Sequence, residues 1–347
     1  MGSKKLIAKA LLVVSFLFLM TIAFSTNLLA GDELVLYCST PPDWCNLMVK
    51  EFEKETGINV KMTRKSTGEF LAEIKAEAKR PKGDIWWGGT GDPHLQAAEE
   101  DLTVPYTSPL FDHLQPWAQT QAKISGMKTV GIYSGAIGWG YNTELMAEKG
   151  LPVPKCWKDL IKPIYKGEIQ ISNPNSSGTA YTVLATVSQL FGEKEGFKYL
   201  QELHKNVNQY TKSGSAPIKA AARGETAIGI VFMHLGTEQM LKGMPIAVQD
   251  PCEGTGYEVG SMSIIKGGPN PDIAKKYYDF ALRPDIQTKL AKITYEAPSN
   301  VDAEIPPEAP DLTKMKLINY DFKKYGASDT RKRLLQKWDK EVGSLPR

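Results

Sequence analysis

Four short stretches of this chain close an apolar run with hydroxyl groups or glycine: Ser39 and Thr40, Ser66 to Gly68, Thr90 to Asp92, and Ser176 to Thr179. Each stands just before a segment with the apolar spacing of a helix. The first N–H groups of a helix lack intrahelical partners and carry the positive end of its dipole, so Ser, Thr and Asp there serve first as caps. Several such starts around one crevice make an anion site from N–H groups and hydroxyls, with no arginine required. Gly68, Gly91 and Gly178 leave room for the close backbone approach that charge-assisted bonds demand. The candidate anion-binding set is therefore Ser39, Thr40, Ser66, Thr67, Gly68, Thr90, Gly91, Asp92, Ser176, Ser177, Gly178 and Thr179.

Two titratable residues extend that set. His234 follows the strand-like IGIVFM, which puts it at a strand end on the same crevice; its ordinary alternative is a structural histidine bonded to a carbonyl. Glu258, in GTGYEVG, is placed to accept hydrogen bonds from ligand hydroxyls, or else it is a solvated carboxylate. Catalytic patterns do not appear: the sequence has no G-x-S-x-G, no H-E-x-x-H and no G-x-x-x-x-G-K-[ST], and its four histidines are His94, His113, His204 and His234. The spacing of GTGYEVG is wrong for a dinucleotide fingerprint. No enzyme activity, cofactor or metal is expected. An exported hydrolase using Ser176 and His234 is the rival from another class, and an interaction protein without a small ligand is the third.

The elements that must position these residues follow one grammar. ELVLYCST, INVKMTRKSTG and DIWWGGTGD each read as a strand ending in small polar residues, and PPDWCNLMVKEFEKETG, EFLAEIKAEAKRPKG and PHLQAAEEDL supply helices after them. This βαβα order implies α/β architecture with a mostly parallel sheet, in which ligands sit beyond the carboxyl ends of the strands. Strand-then-helix alternation resumes after MKTVGIYSGAIGWGYNTELM. The chain is expected to leave a first lobe (residues 31–132 and 259–347) near Ile132, build a second (133–258), and return near Val259, giving a two-strand hinge. Trp86 and Trp87 fill the core, with one of the pair available to a ligand because alternate strand residues face opposite ways.

The first thirty residues have a different job. Lys4, Lys5 and Lys9 precede the apolar run Leu11 to Phe24, and small residues lead to LLAG, which reads as a secretory signal peptide cut after Ala30. Without a cysteine at that cut, no lipid anchor is expected. Removal takes three lysines and no acid, so the formal charge falls from +3 to zero. Nothing resembles the basic stripe of a nucleic-acid binder. The mature chain of about 317 residues exceeds what one core usually serves. An even number of cysteines in an exported chain favours disulfides. Three pairings are formally possible, and Cys38 with Cys45 and Cys156 with Cys252 are the expected ones; free thiols are the alternative.

LVLYCSTPPDWCNLMVKEFEKETGINV, GDIWWGGTGDPHLQAAEEDL, GAIGWGYNT, ISNPNSSGTAYT and ARGETAIGIVF together resemble the solute-binding proteins of ABC importers, in the cluster grouped with ferric-ion binding proteins. The resemblance implies a type II periplasmic binding protein: two lobes closing on a small anionic solute, a monomer in the periplasm, and a membrane permease and its ATPase as partners. Ferric binders use adjacent tyrosines where this chain has Phe232, Met233 and His234; its one adjacent pair, Tyr277 and Tyr278, lies in a helical core pattern. Ferric iron is therefore the alternative, and the branch binding phosphorylated sugars or phosphonates is the closer likeness. There, Ser66, Ser176, Ser177 and Thr179 match residues that hold phosphate, and His234 and Glu258 match residues that contact sugar hydroxyls. That pattern has an acidic residue after the histidine, and this chain has Leu235.

Overall fold

The computed structural model describes residues 33–346, so the expected signal peptide lies outside the described residues. The first half opens with β1 (Glu33–Cys38), α1 (Pro42–Thr56), β2 (Asn59–Arg64), α2 (Thr67–Ala76), β3 (Ile85–Thr90) and α3 (Gly91–Glu99). β1 lies between β2 and β3, parallel to both. All three strands therefore deliver their hydroxyl-bearing ends to one edge, as a parallel sheet requires. α4 (Pro116–Ile124) leads into β4 (Val130–Asn142).

β4 serves two sheets. Its first residues pair with β9 (Tyr257–Ile264) and its last with β7 (Ile228–Phe232) and β8 (Ile246–Gln249). The full order is β2-β1-β3-β9-β4-β7-β5-β6, with β5 (Ile169–Ser172) and β6 (Val207–Thr211) at the far end. β5 is parallel to β6 and β7, whereas β4 and β9 run against their neighbours. The fold is thus a two-lobed α/β protein whose lobes are parallel at heart and antiparallel where the chain crosses between them.

The second lobe adds α5 (Thr143–Glu148), α6 (Gly178–Leu190), α7 (Glu193–His204), α8 (Ala216–Ala222) and α9 (Met233–Leu241). After β9, α10 (Pro271–Ala281) and α11 (Pro284–Thr294) pack on α1, and β10 (Ala297–Pro298) pairs with β4. The tail, with α12 (Phe322–Tyr325) and α13 (Ser328–Trp338), then crosses to the second lobe, where Arg333 and Lys337 grip Glu193 at 2.7 and 3.1 Å. It still touches the first lobe, through Ser328 N–H to Glu99 at 2.6 Å and Tyr320 OH to Asp92 at 3.3 Å.

Both expected disulfides form, Cys38–Cys45 and Cys156–Cys252. The first pins the turn between β1 and α1; the second closes a separation of 96 residues. Trp86 and Trp87 are both buried, at 0% and 1% exposure, so neither is available to a ligand. Trp86 stacks on His94 and donates to Ser39 Oγ at 2.8 Å, which fixes that serine from behind. Tyr277 packs on Phe52 and Phe280, and Tyr278 on Tyr106, as core residues.

Candidate functional site

Between the lobes lies a crevice of about 440 Å³ of empty space, its mouth to solvent included. Its lining comes from the starts of α1, α2, α3, α6, α8 and α9, joined by residues of β4, β9 and the segment after α11. Ten expected residues line it: Ser39, Thr40, Ser66, Thr67, Thr90, Ser177, Gly178, Thr179, His234 and Glu258.

One end of the crevice is rich in hydroxyls. Ser66, Thr67, Ser177, Thr179 and Ser215 are buried there, with Ser213 and Gly214 between β6 and α8 completing the rim. The α6 cap, Ser177, receives the hydroxyl of Ser172 at 2.9 Å and makes no side-chain cap bond, so the first N–H groups of α6 face the crevice start unspent. Arg64, at the end of β2, donates from Nε to Thr40 O at 2.9 Å and from Nη2 to Ser213 Oγ at 3.0 Å. Burial lowers its pKa somewhat, but a guanidinium stays charged. The anion end therefore has a fixed cation that the turn pattern did not require.

The same end holds the lobes together. Gly68 N–H donates to Ser176 O at 3.0 Å, and Ser66 Oγ donates to Lys212 O at 3.2 Å. These are bonds from the first lobe to the second, so the structure is the closed form. Gly68 has no room for a side chain: a Cβ would lie 2.4 Å from Asn175 O. A Cβ on Gly178 would lie 1.9 Å from Thr90 Oγ1. At both positions the absent side chain is what lets the lobes meet.

The other end is titratable. His234, Glu258 and Glu296 are 3%, 4% and 2% exposed, and their donor atoms come within 4.8 Å of one another. Trp44, Tyr133, Phe232 and Leu235 wall them in. Burial pulls the His234 pKa down to about 3, so the imidazole is neutral. Burial also raises Glu258 and Glu296, with Asp92 adding to the first and Glu258 and Glu238 to the second. His234 Nε2 lies 3.1 Å from Glu296 Oε1, a distance suited to an ion pair, yet neither Glu296 oxygen has a well-aligned hydrogen bond. Because the imidazole carries no charge, this contact is not an ion pair. Trp44 Nε1, Thr90 Oγ1 and His234 Nδ1 are likewise buried without protein partners. Such groups cost free energy unless a ligand or water satisfies them.

Four expected residues do not line the crevice. Gly68 is spent on the bond between lobes. Gly91 is wedged against β9, where a Cβ would meet Val259 O at 2.7 Å. Asp92 turns away to Tyr320, and burial lifts its carboxyl to about 6 despite the nearby Arg331. The Ser176 hydroxyl, with one proton to give, lies 3.3 and 3.0 Å from Asn173 O and Lys212 O. Sequence reasoning also missed Arg64, Trp44, Tyr133, Ser213 to Ser215 and Glu296. Only Ser213 to Ser215 carried a usable signal, the same hydroxyl-and-glycine turn before a helix.

A two-lobed α/β protein with helix starts converging on a closed crevice is a solute-binding protein in class. Residues 89–324 match the family of bacterial extracellular solute-binding proteins, and the chain belongs to that family. It is the periplasmic ligand-capturing component of an ABC importer. Its structure is similar to that of the periplasmic binding protein AfuA from Actinobacillus pleuropneumoniae, solved with exogenous fructose-6-phosphate bound: TM-score 0.88 and 45% identity, covering 91% of this chain and 100% of that one. The periplasmic binding protein P5PA follows with TM-score 0.87 and 36% identity, over 90% and 100% of the two chains. A putative 2-aminoethylphosphonate-binding periplasmic protein of Salmonella typhimurium is 22% identical, over 75% of each chain.

Proposed function

We propose that this protein captures a small phosphorylated organic anion, a hexose phosphate ahead of a phosphonate, and delivers it to a membrane permease driven by an ATPase. The observation that carries the reading is the two-ended crevice. Hydroxyls, helix-start N–H groups and Arg64 suit a phosphoryl group at one end, and buried carboxyl and imidazole groups suit a polar organic body at the other. AfuA, bound to fructose-6-phosphate at 45% identity, supports the same choice.

Capture proceeds by lobe closure, which desolvates the anion against the helix starts and shifts the population toward the form held by Gly68 and Ser176. The lobes divide near Ile132 and Val259, with the tail around α13 returning to the second lobe rather than staying with the first, and the chain acts as a monomer after its signal peptide is cut behind Ala30. No catalysis is involved. Ser176 turns its hydroxyl toward two carbonyls and does not line the crevice that His234 lines, which disfavours a hydrolase. Ferric iron is disfavoured because Tyr277 and Tyr278, its adjacent-tyrosine candidates, are buried in core packing.

Thermal unfolding of the mature protein against hexose phosphates, aminoalkylphosphonates, inorganic phosphate, dicarboxylates and ferric citrate tests this. A true ligand at a hundredfold excess over its Kd stabilises by roughly 2.7 kcal/mol. Stabilisation by ferric citrate alone would sink the phosphate reading. Hydrolysis of phosphate esters, lost in Ser176→Ala, would make the protein an enzyme.

A further inference from the structure

The buried polar atoms left over at the titratable end specify what they bind. Glu296 offers two oxygens without a well-aligned hydrogen bond, Oε1 lying 3.1 Å from His234 Nε2, and His234 offers Nδ1. In the neutral ring the nitrogen without a proton is an acceptor, and carboxyl groups keep acceptor oxygens even when protonated. Beside them Trp44 Nε1–H is a buried donor that lacks an acceptor, with the indole and imidazole centroids 5.6 Å apart. An ammonium group only donates, and a metal cation only accepts electron pairs; either would leave the indole N–H unsatisfied. A hydroxyl both donates and accepts, so the hydroxyls of a polyol answer both kinds of group at this end, as a cation does not.

We propose that Glu296, with Trp44, forms a hydroxyl-recognition subsite in this crevice, and that Glu296 supplies the carboxyl whose place next to His234 is taken by Leu235. The proposal rests on the phosphorylated-ligand reading and narrows it to ligands with a hydroxylated body. Leu235 is 5% exposed and lines the wall without offering a polar atom. Glu296 reaches His234 from another element, on the segment between α11 and β10, where left-handed Tyr295 (φ 56°) ends the helix. The chain thus recovers a carboxyl beside the histidine from a residue 62 positions further on.

Isothermal titration of the full mature protein and of Glu296→Leu, with glucose 6-phosphate, 2-aminoethylphosphonate and inorganic phosphate, tests it. Glu296→Leu, which removes both carboxyl oxygens at similar size, should weaken glucose 6-phosphate roughly 10- to 100-fold, the cost of leaving buried partners unmatched. Inorganic phosphate, which fills only the other end, should change less than about threefold, within half of that tenfold energy step. The apo variant should melt no lower than the wild type, because an apolar side chain of similar size replaces a carboxyl that is expensive to bury; a purely structural glutamate would lower it. Trp44→Phe should reproduce the selective loss. Unchanged glucose 6-phosphate affinity in Glu296→Leu would overturn the subsite and spare the phosphate reading. Binding of 2-aminoethylphosphonate in preference to the sugar phosphate would do the same. Failure of all three probes to bind would overturn both.

Discussion

The two ends of the crevice spend free energy in opposite ways. At the anion end the polar groups are main-chain N–H, short hydroxyls and the guanidinium of Arg64, many already bonded to protein, as in Ser66 to Lys212 O, Ser172 to Ser177 and Arg64 to Thr40 O. Forming that end costs little, because helix starts and turns leave N–H groups over in any case. At the titratable end Glu296, His234 and Trp44 are buried with atoms unpartnered, and the charged forms of the carboxyls are suppressed. That end is destabilising until it is filled. A cheap end grips a group common to many ligands, and a costly end discriminates among the bodies attached to it.

The largest expected effect erases the distinction. Gly178→Ala forces a Cβ against Thr90 across the interface between lobes, so closure fails for every ligand. Titration calorimetry should find inorganic phosphate and glucose 6-phosphate both weakened by more than about 100-fold, each kcal/mol of obstruction being multiplied as in any binding equilibrium. Loss for one ligand alone would contradict a shared closing step. Ser177→Ala with Thr179→Val acts on the cheap end only. Both ligands should lose about 10- to 100-fold, as charge-assisted bonds of roughly 1.5–3 kcal/mol require, while the apo melting temperature stays nearly constant. Equal losses in affinity and apo stability would mean that these residues merely cap α6.

The smallest effect is a pH slope from the costly end. Glu258 and Glu296 have raised pKa values in the closed fold, so the stability they contribute is present at low pH and is lost as pH climbs through those values. His234, lowered to about 3, works the other way, losing stability as pH falls below its ordinary value. Above the ordinary imidazole value of about 6.5 His234 is neutral in every state, and the carboxyls dominate. The closed form should weaken there by at most about 1.4 kcal/mol per pH unit for each proton released. Small-angle scattering of the ligand-free protein should show opening with rising pH, and Glu258→Gln with Glu296→Gln should flatten the trend. A slope that persists in the double variant would assign the titration elsewhere, Asp92 being the next buried carboxyl.

The contrast also explains what could be read in the chain. Ser66, Thr67, Ser177 and Thr179 belong to local turns between a strand and its helix, and local pattern is visible in sequence. So was the alternation of β1 to α3, and the closing of Cys38 on Cys45 within one turn. Ser213 to Ser215 repeated the signal, but β6 before them is short and polar (VNQYT) and does not stand out as a strand. Glu296 and Trp44 reach the crevice by tertiary packing alone, with no spacing that ties them to His234. Asp92 was misplaced for the same reason. Its true neighbours, Tyr320 and Arg331, lie in a tail that crosses to the second lobe, and nothing in the order of residues announces that crossing.

The bond from Gly68 N–H to Ser176 O joins the lobes through main-chain atoms. Its strength is indifferent to which side chains line the crevice, provided position 68 stays bare. The shutter and the lock are in this sense separately heritable: a lineage can trade residues such as Leu235 and Glu296 to acquire a new cargo without rebuilding the motion that delivers it.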